Sequence, residues 1–168
     1  DGGPALLLTV DALGSGYRTL ATDRESLYFS TADGRVLKMS RDGGTVTELA
    51  ADRTGVQAIA VDDKSIYFTV ATDTVGEVVR VPKTGGTPAV LATAQKSPRA
   101  VAFDDASVYF TNAGDGTVMK VAKDGASAPV AVASAQTSPC GLSVSQGQLL
   151  WTNSVAAGGA VMKIALAG

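Results

Sequence analysis

Apolar residues in this chain come in runs of four to seven, in which large and small or apolar and polar positions alternate, and Gly, Asp, Asn or Pro closes each run. The segment Ser107–Gly125, SVYFTNAGDGTVMKVAKDG, is the most regular instance: a run, a Gly-containing turn, a second run and a second turn. Period-two alternation in Val-, Ile-, Tyr- and Phe-rich runs with such boundaries predicts strands and hairpins. The same pattern recurs four times. Its marker is an aromatic pair, Tyr28-Phe29, Tyr67-Phe68 and Tyr109-Phe110, with Leu150-Trp151 as the altered fourth copy; the second members lie 39, 42 and 41 residues apart. A period near forty with four short strands per unit is the mark of a propeller blade.

Each unit divides into four strands, counted outward from the ring axis. The first strands are predicted at Arg18–Thr22, Gln57–Val61, Arg99–Phe103 and Cys140–Val144, and the second carry the aromatic pair. The third span Arg35–Met39, Glu77–Val81, Thr117–Val121 and Ala160–Ile164; the fourth span Val46–Leu49, Ala89–Leu91 and Pro129–Val132. The last unit stops after its third strand, while Asp1–Leu8 matches Asp42–Leu49, a turn and an outer strand. The reading is therefore an all-β, single-domain propeller of four four-stranded blades, over residues 17–51, 56–93, 98–134 and 139–168 plus 4–10. The N-terminal strand is expected to close the ring by pairing with the C-terminal blade, which would remove a free edge. The alternative is half of an eight-bladed ring completed by a homodimer, since propellers carry four to eight blades.

Composition narrows the classes of function. A net charge of −2 and a pI near 5.0 argue against a nucleic-acid partner, which would require a basic face. No apolar run is long enough to span a membrane as a helix. A lone cysteine excludes an intrachain disulfide. The chain opens on Asp rather than Met, as a processed product would. With abundant Thr, Ser, Ala, Gly and Asp and sparse charge, that points to a secreted or cell-surface bacterial protein. There is no histidine, which removes Ser–His and Cys–His nucleophiles and most transition-metal sites. No nucleophile elbow, phosphate-binding loop or dinucleotide fingerprint is present.

Equivalent positions of the four units supply the candidate residues. Arg18, Gln57, Arg99 and Cys140 begin the first strands, whose ends converge at the channel mouth. Two arginines and a glutamine there suit an anionic or polyhydroxy ligand; the plainer reading is a solvated rim. Lys38, Arg80, Lys120 and Lys163 share a position on the third strands and read first as a solvated strand face. The pairs Asp62-Asp63 and Asp104-Asp105 resemble a carboxylate dyad, but neighbours on a strand point to opposite faces and an Asp at that position caps its own turn. No cofactor is expected; Ca²⁺ held by these aspartates with loop carbonyls is the one metal the sequence leaves open. Cys140, after Pro139 and without a basic neighbour, reads as a small hydrophobe. The tyrosines and Trp151 read as packing between blades.

The series of Tyr-Phe or Leu-Trp, Thr-Asn, a Gly-Asp-Gly turn, Val-Met-Lys-Val, Asp-Gly and Ser-Pro resembles bacterial secreted propeller repeats. It is similar to the YWTD repeats of lipoprotein-receptor propellers and to the NHL and virginiamycin-lyase-like group. The resemblance implies the scaffold and carries over no active site, since the lyases of that group are expected to use histidine. The favoured function is a non-catalytic binding or interaction module for a protein, a carbohydrate or a small anion, as a monomer or homodimer without membrane insertion. The alternatives are a lyase or hydrolase with its site at the channel mouth, Arg18 and Arg99 first, and a structural fragment of a larger propeller.

Overall fold

A computed structural model of the protein describes residues 16–154 and 158–166. Those residues form fifteen strands and no helix, grouped into four antiparallel sheets. The first holds β1 (Tyr17–Thr22), β2 (Ser26–Thr31), β3 (Val36–Ser40) and β4 (Val46–Ala50) in sequence order. The second holds β5 (Val56–Val61), β6 (Ser65–Ala71), β7 (Gly76–Pro82) and β8 (Ala89–Ala92). The third holds β9 (Pro98–Phe103), β10 (Ser107–Asn112), β11 (Thr117–Ala122) and β12 (Val130–Ala133). The fourth holds β13 (Pro139–Ser145), β14 (Gln148–Asn153) and β15 (Ala160–Ala165). These are four blades of a β-propeller. Leu6–Leu8, the strand expected to close the ring, lie outside the described residues.

Register explains how an aromatic pair organises each blade. Tyr28 sits opposite Lys38, Tyr67 opposite Arg80 and Tyr109 opposite Lys120, while Phe29, Phe68 and Phe110 face Leu37, Val79 and Met119. In the fourth blade Leu150 takes the Tyr position, opposite Lys163, and Trp151 the Phe position, opposite Met162. Alternation sends the two members to opposite faces. The Tyr face meets the following blade: Tyr28 and Val36 pack with Ile66, Phe68, Val79 and Val81. Tyr67 and Val78 pack with Val108, Phe110 and Val121, and Tyr109 and Val118 with Leu149 and Trp151. Among the described residues the core is thus a series of layers between sheets, with no central cluster.

The first strands lie side by side in the order β1, β5, β9, β13. Among the described residues no packing of that kind joins β13 back to β1. The connections between blades are pinned by main chain. Arg53, Gln95 and Gln136 donate their backbone N–H to the carbonyls of Gly34, Gly76 and Gly116 at 2.8–2.9 Å. These glycines open the third strand of the first three blades, where no side chain fits: a Cβ on Gly76 would lie 1.8 Å from the Gln95 carbonyl oxygen, and one on Gly116 2.2 Å from that of Gln136. A left-handed residue precedes every first strand: Gly16, Gly55, Ser97 and Ser138, with φ of 69°, 89°, 53° and 46°. The turn that aims each new blade is thereby the same in all four.

Gly76 does not need its φ relieved, so the Gly76→Ala variant isolates this steric contact. It is expected to lower stability by about 2–3 kcal/mol, read as a fall in the urea midpoint, whereas Gly85→Ala, with open space around its Cβ, loses only the smaller cost of its positive φ.

Candidate functional site

The second-strand tyrosine of each whole blade belongs to a repeated polar constellation at the turn between first and second strands. Asp62 Oδ1 accepts the backbone N–H groups of Lys64 and Ser65 at 2.8 and 2.7 Å, which closes the turn. Its Oδ2 accepts the Tyr67 hydroxyl at 2.8 Å and the Lys123 ammonium of the next blade at 2.7 Å. The same set recurs one blade earlier: Asp23 caps Glu25 and Ser26, accepts Tyr28 Oη at 2.9 Å and pairs with Lys83. The lysines also lie over aromatic rings, Lys83 Nζ 5.8 Å from the Tyr28 centroid and Lys123 Nζ 4.5 Å from that of Phe103. Asp104 caps Ala106 and Ser107 and accepts Tyr109 Oη at 2.6 Å. The residue of the fourth blade that matches Lys83 and Lys123 is Leu166, packed in the apolar layer with Tyr109. An ionic latch therefore joins the first blade to the second and the second to the third, and an apolar contact replaces it at the next junction.

Burial opposes the charge on Asp62, but the Lys123 ammonium, the two capping amides and the Tyr67 hydroxyl outweigh it and push its pKa down to about 2. Asp23 is driven down in the same way, with burial opposing and the Lys83 contact, the amides of Glu25 and Ser26 and the Tyr28 hydroxyl lowering it. Burial and the adjacent carboxylates move the tyrosines the other way, Tyr109 up to about 12.

This turn region borders a recess of about 800 Å³ at the far ends of β1, β5 and β9. Its wall carries Arg24, Arg41, Lys64, Arg80 and Lys123 beside Asp23, Asp62, Asp63, Asp105 and Asp124, with Tyr67 and Phe103 as its aromatic part. Arg41 Nη1 is engaged with the Asp23 carbonyl at 3.2 Å and Arg80 Nη1 with the Lys123 carbonyl at 2.6 Å. Arg24, Lys64, Asp63, Asp105 and Asp124 form no ion pair among the described residues. The recess thus offers charges of both signs over a fixed, neutralised base. Its shifted groups, Asp23, Asp62 and Tyr67, move away from neutral pH. Among the described residues no three Asp, Glu or Cys side chains converge as metal ligands would.

The residues singled out from the sequence sit at the opposite ends of the first strands. Arg18, Gln57 and Arg99 are exposed and Cys140 is half-buried. Arg18 and Thr22 stand about 13 Å apart along β1, so the recess does not include this ring. In every blade these residues fall in a β-bulge of the first strand, between Tyr17 and Leu20, Val56 and Ala58, Pro98 and Val101, and Pro139 and Leu142. A bulge leaves main-chain groups unpaired, and the hydroxyl that follows the aromatic pair takes them up. Thr111 Oγ1 accepts the Ala100 N–H at 3.0 Å and donates to the Cys140 carbonyl of the next blade at 3.3 Å; Thr69 Oγ1 donates to the Arg99 carbonyl at 3.0 Å. Gln57 Nε2 turns back to the Gly55 carbonyl at 3.1 Å, and Cys140 Sγ lies 3.1 Å from Thr152 Oγ1. A smaller recess of about 320 Å³ opens at this end, where the turn at Thr72–Gly76 meets Ala94–Ser97.

The basic positions on the third strands correct the expectation of a solvated face. Lys38 Nζ donates to the Lys83 carbonyl at 3.3 Å and Arg80 to that of Lys123, both across blade junctions and both half-buried. Lys120 and Lys163 are exposed. The recurrence of Asp five residues before each Tyr, and of Arg41, Lys83 and Lys123 one turn after the third strand, was the sequence signal for the latch. It was overlooked because the Asp and the Lys lie in different units.

No family model and no curated protein matches the chain. Solved structures do. A chain of a nidogen/laminin complex superposes with a TM-score of 0.75 at 14% identity, over 86% of this chain and 58% of that one. The computationally designed protein Ika4 matches at 0.73 and 18%, over 98% of this chain and all of its own. A catalytically inactive virginiamycin B lyase from Staphylococcus aureus, solved with quinupristin, matches at 0.70 and 14%, over 95% of this chain and 58% of that one. The chain spans just over half the length of the nidogen/laminin and lyase chains. Likeness at these identities is likeness of fold: the protein is a β-propeller, with no activity assigned by the comparison.

The latch makes a pH-dependent contribution that can be measured. The folded value of Asp62, about 2, lies below its ordinary 3.8, so its stabilisation is complete above pH 4 and fades as pH falls through 2. Lys123→Met is expected to cost about 1–3 kcal/mol at pH 7 and to raise the Asp62 pKa. Urea unfolding at pH 7 and pH 2.5, with NMR titration of the Asp62 carboxyl, checks both: the loss should be large at pH 7 and shrink at pH 2.5.

Proposed function

We propose that the protein is a non-catalytic binding module that holds a mixed-charge segment of a protein partner in the recess between the first three blades. The observation that carries this is the pairing of a neutralised wall, Asp23–Lys83 and Asp62–Lys123, with unpaired Arg24, Lys64, Asp63 and Asp105 on the same surface. Charges already committed to the fold hold the wall rigid, and charges left over can be satisfied by a ligand without reorganising it. A peptide carrying both Lys and Glu matches the recess in sign. The absence of histidine removes Ser–His and Cys–His pairs from this end. The nidogen/laminin structure shows that this fold is found in a protein complex, which supports a protein partner over a small anion. A secreted or cell-surface setting belongs to the same proposal and rests on the composition alone.

Titration of ¹⁵N-labelled protein with a pool of mixed Lys/Glu peptides tests the reading. Shifts are expected at Arg24, Lys64 and Asp105, with at least a tenfold weaker Kd, about 1.4 kcal/mol, in the Arg24→Glu/Lys64→Glu variant and an unchanged urea midpoint. Shifts confined to Arg18, Gln57 and Arg99 would move the site to the opposite end, and shifts at neither end would remove the peptide reading.

A further inference from the structure

We infer that the recess imposes a direction on its ligand: it holds a partner segment whose acidic residues lie over the first blade and whose basic residues lie over the third. The inference rests on the reading of the recess as a peptide site and adds the polarity of what binds there. The order of the blades sets the order of the charges. The first strands stand side by side as β1, β5 and β9, so the turns that follow them, at 23–25, 62–64 and 104–106, succeed one another in that order. The residue after the capping aspartate changes sign along the series: it is Arg24 in the first blade, Asp63 in the second and Asp105 in the third. Lys64 follows Asp63 and leaves the middle turn without net charge, whereas Ala106 follows Asp105. The turn after the third strand continues the trend, since it brings Arg41 to the recess from the first blade and Asp124 from the third.

The latches sharpen this gradient. Lys83 of the second blade neutralises Asp23 of the first, and Lys123 of the third neutralises Asp62 of the second. Each pairing moves a positive charge one blade back along the series. Asp104 of the third blade has no ammonium within ion-pair reach among the described residues, because Leu166 stands where the lysine would. The first blade is left with Arg24 and Arg41, which have no carboxylate partner, and the third with Asp104, Asp105 and Asp124. Arg80 lies between the two ends, on the middle blade, with its guanidinium on the Lys123 carbonyl. Glu25 and Asp42 flank the positive end but do not line the recess. Arg41 is held by the Asp23 carbonyl, and Asp124 by the Ala126 N–H at 2.9 Å. Arg24 and Asp105 are exposed and make no side-chain hydrogen bond or ion pair among the described residues, so a ligand meets them without displacing a partner. A segment laid across the blades in one direction matches this wall in sign; reversed, it brings like charges together at both ends. Sheets pack about 10 Å apart and an extended chain advances about 3.3 Å per residue, so the span from the first blade to the third takes at most about six residues.

Two end-capped peptides of one composition test the polarity by NMR titration of ¹⁵N-labelled protein at about 50 mM salt, where screening is weak. In the segregated peptide two Glu lie at one end and two Lys at the other, with four Ser or Gly between; in the second peptide Glu and Lys alternate. The segregated peptide is expected to bind at least about fivefold tighter. A nitroxide on its acidic end should broaden the amide signals of Arg24 and Arg41, and one on its basic end those of Asp105 and Asp124. The Arg24→Asp/Asp105→Arg variant keeps the net charge and levels the gradient, so the preference should fall below about twofold. Equal affinities for the two peptides, or broadening that does not distinguish the ends, overturn the polarity and leave the recess a peptide site. A preference that survives the charge exchange overturns it as well. Absence of shifts in the recess with either peptide overturns the peptide reading, and the polarity with it.

Discussion

A four-stranded sheet with apolar side chains on both faces is stable only between two others. That requirement governs this protein. At each of the three described junctions one blade presents its Tyr and the Val of its third strand and the next presents its Phe or Trp, so the facing sides complete one another's core. Stability is consequently a sum over adjacent pairs, as in other repeat architectures.

The polar groups at the junctions follow from the same constraint. Stacking sheets buries turn aspartates that would otherwise be solvated, and a buried carboxylate must be paired. Tyr67 and Lys123 do this for Asp62, one from its own blade and one from the next. The result specifies the order of blades as well as holding them, because the Lys arrives only from the sheet that follows. Where Leu166 stands in place of the Lys, Asp104 keeps its capping amides and its Tyr hydroxyl, and apolar contact does the remaining work.

The architecture was largely legible in the chain because it is written repeatedly. The aromatic pairs and their spacing located the sheets, and Asp-Gly and Gly-Gly located the hairpins. Asp62 and Asp104 were legible as turn caps, since that interaction spans two or three residues. Their second partners were not, because Lys123 is sixty-one positions from Asp62 and only the stacking of sheets brings them together. Lys38 and Arg80 were misjudged for the same reason: on an isolated blade they would be solvated, and it is the adjacent turn that half-buries them. Arg18, Gln57, Arg99 and Cys140 were recognised as equivalent, but the bulge that contains them is a matter of register and leaves no mark in composition.

The glycine contacts carry a consequence for how such a protein changes over time. Gly34, Gly76 and Gly116 meet the succeeding connection at main-chain atoms, so this part of the contact between units does not depend on which side chains the units bear. Exposed turns can therefore vary without touching this contact, whereas an exchanged unit must still bring the Asp, Lys and apolar side chains that its neighbours need.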